Sequence, residues 1–476
     1  MKLTQTAQRT LIALFFTLVA IAYAIAWRAP AIGLFREDAL YLLSAKSLAT
    51  QTTFPPLFPL LLALFSLVSS EAQWLKILPL TCTAAWLFVS YKLLRKMGAE
   101  HWLALFLAGL TAAAPQVVFT ATSLLPAPLF GLLLAAALLA LLNDRMLLAG
   151  TLAGLATLTG TAGLALIAAC ALTLIVRGRF RRAVTFTTPA LFLAAPWFAW
   201  AVVRANVEYA NQDPAEHILG RLAANEKFAV FGSNLLNLFA GPLEILSGIG
   251  DPYAALVTLI LLAVCLWKRR QMVPDMFLLL YCAMLLFWLR PPAPLLAPVL
   301  PLILWLFFRV FRNFRLREAL AATVLILAIV PVAAILMRLP ATFRTGQFPV
   351  SDQPPNQWQE MDKLFAFIRR NTPPDAILAA NNDPLFYLNT NRKTVRAFVP
   401  DGYKTFYQSG GQTVNARQLS SGLRAAGAGY VALTPDRDLA ESAAFHKSVQ
   451  ALERAGILEP VAIPGLAPEY RLLRTR

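Results

Sequence analysis

Residues 35–65 read FREDALYLLSAKSLATQTTFPPLFPLLLALF. The stretch opens on two adjacent carboxylates, Glu37 and Asp38, and closes in a run of Leu, Phe and Pro. Ala39–Leu48 carry apolar residues at helical spacing, so the acidic pair stands at the start of a helix lying along a membrane. A carboxylate there is favoured by the helix N-terminus and is expected to stay ionised. Pro55-Pro56-Leu57-Phe58-Pro59 then turns the chain into the interface. The apolar run 57–68 is too short to cross a bilayer, which takes about 20 helical residues. It is expected to be re-entrant or to lie on the outer surface. A carboxylate pinned at the lipid–water boundary suits a general base acting on an acceptor hydroxyl or amine. The bland alternative is a solvated loop in which Arg36 neutralises one carboxylate.

The rest of the chain supports a membrane setting. It has 476 residues, 58% hydrophobic and only 14% charged, with a mean hydropathy of +0.60. Soluble domains are about 45–50% apolar and about 25% charged. The net charge of +17 does not point to nucleic acid, because the basic residues fall in short clusters between apolar runs and no basic patch carries interleaved aromatics. Cys82, Cys170, Cys265 and Cys282 lie in or beside apolar segments without CxxC spacing and read as small apolar residues. His101, His217 and His446 are scattered, so no metal site is indicated.

Lys2 and Arg9 precede an apolar run from Leu11 to Trp27. A signal peptide has the same shape, and either reading leaves the N-terminus cytoplasmic. Further spans are expected near 73–92, 102–121, 125–142, a hairpin within 146–176, 184–203, 252–267, 274–289, 293–310 and 319–338. Basic clusters test the count: Lys92, Arg95 and Lys96; Arg145; Arg177, Arg179, Arg181 and Arg182; Lys268, Arg269 and Arg270; Arg309, Arg312, Arg315 and Arg317. All fall on one side if there are about eleven spans and 57–68 does not cross. That arrangement puts 28–72, 204–251 and 339–476 outside. The segment 204–251, with Arg204, Glu208, Asp213, Glu216, His217, Arg221, Glu226 and Lys227, is expected as an external loop over the site.

Composition changes near residue 340. Residues 345–476 carry 15 basic and 12 acidic side chains, and apolar runs shorten. Helices are expected at Gln357–Arg370, Arg417–Ala426 and Leu439–Arg454. Strands are expected at Ala376–Ala380, Val395–Val399, Tyr430–Leu433, Leu458–Ile463 and Tyr470–Leu473. The alternation predicts a small α/β domain. No GxGxxG or GxxxxGK[ST] signals a nucleotide site. The expected fold class is therefore a polytopic α-helical membrane protein, a transmembrane domain over 1–340, followed by an extracytoplasmic α/β domain over 341–476.

The acidic pair, Tyr41, Ala45 and Pro55-Pro56-Leu57-Phe58-Pro59 together resemble the first external loop of the GT-C glycosyltransferases. The likeness is greatest to bacterial relatives of dolichyl-phosphate-mannose protein mannosyltransferases and of aminoarabinose transferases. It continues in Gly150–Leu166, which holds a GLAxLT-like run, in Pro196-Trp197 and in Pro298-Val299-Leu300-Pro301. The resemblance implies an inverting transfer of a sugar from a polyprenyl-phosphate donor to an acceptor glycan, lipid or protein in the cell envelope, at the inner membrane. Glu37 or Asp38 would activate the acceptor, and Tyr41, Lys46 and Arg290 would bind substrate, Arg290 through the phosphate. No cofactor beyond the lipid-linked donor is implied. The family pattern departs here at Ala127, where it often has Glu, and at Gly160 and Pro294, where it often has Arg. Two rivals remain: a transporter of lipid-linked sugars, which would bury charge in mid-span, and a non-catalytic membrane scaffold.

Overall fold

A computed structural model describes residues 5–34, 36–46, 54–205, 224–247, 272–288, 292–311, 329–342, 357–398, 414–436 and 441–476. The N-terminal part is helical. Among the described residues, three helices are long and apolar enough to cross a membrane: Ala72–Lys96, Phe180–Trp200 and Asn225–Leu246. A fourth counts if His101–Ala113 and Pro115–Thr122, bent by 65°, form one span. The bend has a local cause: Ala114 is extended, at φ −67° and ψ 126°, because the ring of Pro115 disfavours the helical region for the residue before it.

The other apolar helices are shorter, including Ala127–Leu142, Met146–Thr157, Gly163–Val176 and Leu57–Ser66. The pair expected as a hairpin within 146–176 is therefore two helices of 12 and 14 residues. Met146–Thr157 packs closely on Phe180–Ala205 through Gly150 and Gly154, a small-xxx-small pair that lets two backbones approach. A Cβ on Gly154 would stand 2.9 Å from the carbonyl oxygen of Ala190. Met272–Leu286, a 3-10 turn over Ala293–Val299 and Leu300–Phe311 complete the bundle core with Ile329–Thr342 at its side. The expected span at 252–267 lies outside the described residues.

One expectation needs correction. The external loop expected over 204–251 contains a 24-residue helix, Ala224–Ser247. Its polar residues hid it, and a tertiary contact satisfies one of them. Asn234 is fully buried, and its Nδ2 donates to the carbonyls of Leu286 (3.2 Å) and Trp288 (2.6 Å), closing the open C-terminal end of the neighbouring helix. Arg309, in the last turn of Leu300–Phe311, is buried, with its guanidinium 3.2 Å from the carboxylate of Asp275 in the first turn of Met272–Leu286.

The described residues of 357–398, 414–436 and 441–476 include a mixed five-stranded sheet in the order β2-β1-β3-β5-β4. The strands are β1 Ile377–Ala380, β2 Lys393–Val395, β3 Tyr430–Leu433, β4 Leu458–Val461 and β5 Arg471–Thr475. β1 runs parallel to β2 and β3, and β5 runs antiparallel to β3 and β4. Strand alternation divides the core in two. Ala379, Val431, Leu433 and Leu473 face helices Ala416–Ala426 and Ser442–Arg454. Leu378, Ala380, Ala432 and Leu472 face Gln357–Asn371 and Asp383–Thr390. β2 starts earlier than the strand expected at Val395–Val399 and ends at Val395. The helix Asp383–Thr390, which was not expected, lies between β1 and β2.

Candidate active site at the first loop

The loop helix spans Arg36–Lys46, with Glu37 and Asp38 in its first turn. A helix with an acidic first turn agrees with the sequence reading. The two carboxylates then part company. Glu37 is half-buried, whereas Asp38 is 1% exposed. One Asp38 oxygen accepts the Gly33 N–H at 2.8 Å and the other accepts the Ala39 N–H at 2.9 Å. Gly33 reaches this geometry at φ +94°, a backbone state that suits a residue without Cβ.

The expectation that the helix N-terminus keeps this carboxylate ionised is corrected at Asp38. Burial pushes its pKa from 3.8 up to about 7, against the opposing pull of the two N–H donors and the charge of Lys76. Desolvation of the charged form outweighs the favourable contacts. A carboxyl group held near neutrality has the proton affinity useful in a general base.

Lys76 was missed in the sequence, where it sits within the apolar run Trp74-Leu75-Lys76-Ile77-Leu78. A lone lysine inside a span is itself a signal of function. It is 1% exposed, and its Nζ donates to the Ala29 carbonyl at 2.6 Å. Its charge acts on Asp38 through space, and each of the two buried groups holds one end of the strap Ala29–Leu34, Lys76 at the Ala29 carbonyl and Asp38 at the Gly33 N–H.

The other expected site residues spread out. Tyr41 is buried, its ring 4.2 Å from that of Phe54 and 5.4 Å, edge-on, from that of Phe58. It thereby joins the loop helix to the proline turn. Lys46 is exposed at the helix C-terminus. Arg290 lies outside the described residues. Leu57–Ser66 is a ten-residue helix, with Phe58 and Leu62 buried and Leu60, Leu64, Leu67 and Val68 at or beyond its outer face exposed. Ala127 heads its helix, one turn before Phe130. A Cβ on Gly160 would stand 3.6 Å from the Phe130 ring. Two positions that lack the expected charged side chains are thus near neighbours. Pro294 is exposed in the 3-10 turn.

The strap is held from the far end of the chain. Asn382 Nδ2 donates to the carbonyls of Gly33 (2.8 Å) and Leu34 (3.1 Å), and Arg36 pairs with Asp383 at 3.1 Å. Ala31 and Leu34 enter the hydrophobic core on one face of the sheet. The sequence signal for this contact was Asn382-Asp383-Pro384, polar residues before a proline in the first helical turn. Among the described residues, no group of three or more His, Cys, Asp or Glu side chains is placed to hold a metal ion.

Comparison with known proteins bears on the family and the fold. The family model for Glycosyltransferase family 87 matches residues 53–292, slightly more than half of the chain. No curated protein sequence matches significantly. The crystal structure of ArnT from Cupriavidus metallidurans bound to undecaprenyl phosphate is similar, with a TM-score of 0.58 at 13% identity. The apo form of that protein gives a TM-score of 0.59 at 14% identity. Each likeness covers 98% of this chain and 98% of that one. The apo crystal structure of the Archaeoglobus fulgidus oligosaccharyltransferase covers 88% of this chain and 69% of its own at 11% identity. Its TM-score of 0.43 is too low to bear on the present fold.

Proposed function

Because the chain belongs to glycosyltransferase family 87, a family of GT-C fold, we propose that it transfers a sugar from a polyprenyl-phosphate donor to an extracytoplasmic acceptor, with Asp38 as base. The observation that carries this reading is the buried Asp38 carboxyl group, raised to about 7 and set beside Lys76. Asp38 takes the proton of an acceptor hydroxyl or amine. The freed electron pair attacks the anomeric carbon, the bond from that carbon to the phosphate oxygen breaks, and polyprenyl phosphate leaves with the bonding pair. Attack opposite the leaving group inverts the anomeric centre. Lys76 supplies positive charge near the departing phosphate; Lys46 and Arg290 are further candidates for that contact.

The likeness to a fold whose solved example holds undecaprenyl phosphate supports the donor class. The charge clusters support an inner-membrane chain with its N-terminus inside. The first loop and the C-terminal α/β unit touch, as two segments on the outer side would. A second reading makes Glu37 the base, because it is less buried than Asp38 and in the same helical turn.

Transfer from labelled polyprenyl-phosphate sugars by purified protein in lipid tests the assignment. Asp38→Asn should lose activity by about 10²–10⁴-fold, and Glu37→Gln should retain most of it. The reverse pattern moves the base to Glu37. Lipid-linked sugar that binds without turnover would favour the scaffold reading.

A further inference from the structure

We infer that Asn382 is a positioning residue for the first-loop site, so that the C-terminal α/β unit sets where Asp38 stands. The inference rests on Asp38 being the base. Asn382 has no exposed surface. Its amide nitrogen makes two hydrogen bonds, both to consecutive strap carbonyls, Gly33 O and Leu34 O. Fixing those carbonyls holds the Gly33–Leu34 peptide, and on the other side of the Gly33 Cα the N–H of the same residue is the donor to Asp38 at 2.8 Å. The path from Asn382 to the carboxylate is therefore two hydrogen bonds through one residue.

Further contacts confine the same strap and its junction with the loop helix. The Leu385 methyl Cδ1 stands 2.8 Å from where a Gly33 Cβ would be, so the Asp383–Thr390 helix presses directly on the turn. Arg36, one residue before the acidic pair, is paired with Asp383. From the bundle side, Lys76 Nζ holds Ala29. Leu34 and Ala31 are shared with the core containing Phe365, Leu378 and Phe386. Orienting a base to within fractions of an ångström is worth orders of magnitude in rate.

The charged groups around Asp38 are Glu37 on its own helix, Lys76 from the bundle and, at the strap end, the Arg36–Asp383 pair. Asn382 is uncharged, so replacing it changes none of them. Any effect on Asp38 must pass through the strap.

The test uses full-length protein in lipid. Asn382→Ala should lower kcat at least about tenfold with little change in donor KM, as expected when an already bound substrate meets a misplaced base. The titration of Asp38 is followed separately by its infrared carboxyl band, assigned with Asp38→Asn. A loosened strap admits water, which lowers the midpoint, and withdraws the Gly33 N–H, which raises it, so the midpoint should move from its wild-type position by about half a pH unit or more. Tyr387→Ala, on the exposed face of the same helix, should leave both readouts as in wild type. Exchanging the charges in Arg36→Asp/Asp383→Arg should recover most of what either single change loses. An Asn382→Ala protein that melts lower but keeps its Asp38 midpoint and kcat would make Asn382 merely structural and overturn the inference. If wild type shows no transfer with any donor, the proposed function fails, and the infrared midpoint still decides whether Asn382 positions Asp38.

Discussion

The backbone N–H of Leu57 donates to the carbonyl of Leu158 at 2.9 Å. This bond ties the proline turn of the first loop to the turn after Gly154-Leu155-Ala156-Thr157. Leu57 is the first residue of its helix, a position where proline is ordinarily tolerated because no intrahelical donor is lost. Leu57→Pro removes the inter-turn bond and also disfavours the helical backbone of Pro56, held at φ −78° and ψ −17°. It should destabilise the protein by more than about 1 kcal/mol relative to Leu57→Ala, which keeps the N–H. Equal melting temperatures for the two variants would show that the bond contributes nothing.

The proton affinity of Asp38 gives activity and stability opposite pH dependences. With the group ordinarily at 3.8 and raised to about 7 in the fold, kcat/KM should rise with pH through a limb centred near 7. Between those two values the folded state binds the proton more tightly than the unfolded chain, so this group makes the fold less stable as pH increases. The penalty is absent below about 4 and complete above about 7. Melting temperatures of wild type and Asp38→Asn across that window should therefore diverge, with wild type losing ground as pH rises. Parallel curves would place the Asp38 midpoint outside the window.

Arg309 and Asp275 form an ion pair whose side chains are 10% and 11% exposed. Removing either partner leaves an uncompensated buried charge, and Arg309→Met or Asp275→Leu alone should cost about 3–5 kcal/mol. The double variant should fall within about 1 kcal/mol of wild type or exceed it, because neither desolvated charge remains. Thermal unfolding of all three in one lipid environment measures this. A double variant as unstable as the singles would give the pair an essential structural role.

Gly33→Ala combines two faults. The residue would be held at φ +94°, and its Cβ would meet Leu385 Cδ1 at 2.8 Å. A cost of about 1–3 kcal/mol follows from the backbone alone. Adding Leu385→Ala removes the collision but leaves the backbone strain and opens a cavity, so the double variant should not return to wild-type stability.

The readable parts of this chain were those whose pattern is local. The loop helix announced itself through apolar spacing and an acidic first turn, and Tyr430–Leu433 was bounded to the residue because a buried strand stands between a glycine turn and a proline. Ala224–Ser247 was hidden because Asn234, Asn237 and Glu244 interrupt its apolar run. The partners that satisfy Asn234 are the last carbonyls of another helix, and no single stretch of sequence displays that. The GT-C resemblance was legible in an ordered set of weak motifs and is shown by the family match. The acidic pair was legible as a candidate, but not the difference between its members. That difference comes from the strap, Lys76 and Asn382, which converge only in the folded chain.

The strap's place inside the sheet core also bears on biosynthesis. Gly33 leaves the ribosome early, while Asn382, its hydrogen-bond partner, follows 349 positions later. At typical synthesis rates this interval lasts on the order of tens of seconds. Throughout it the bundle can assemble around Lys76, but Ala31 and Leu34 have no sheet to enter and the turn carrying Asp38 lacks its outer clamp. A nascent chain is thus kept from completing its acidic site until nearly all of these residues have been made. The surroundings of Asp38 are therefore completed late, only once the α/β unit has docked on the strap.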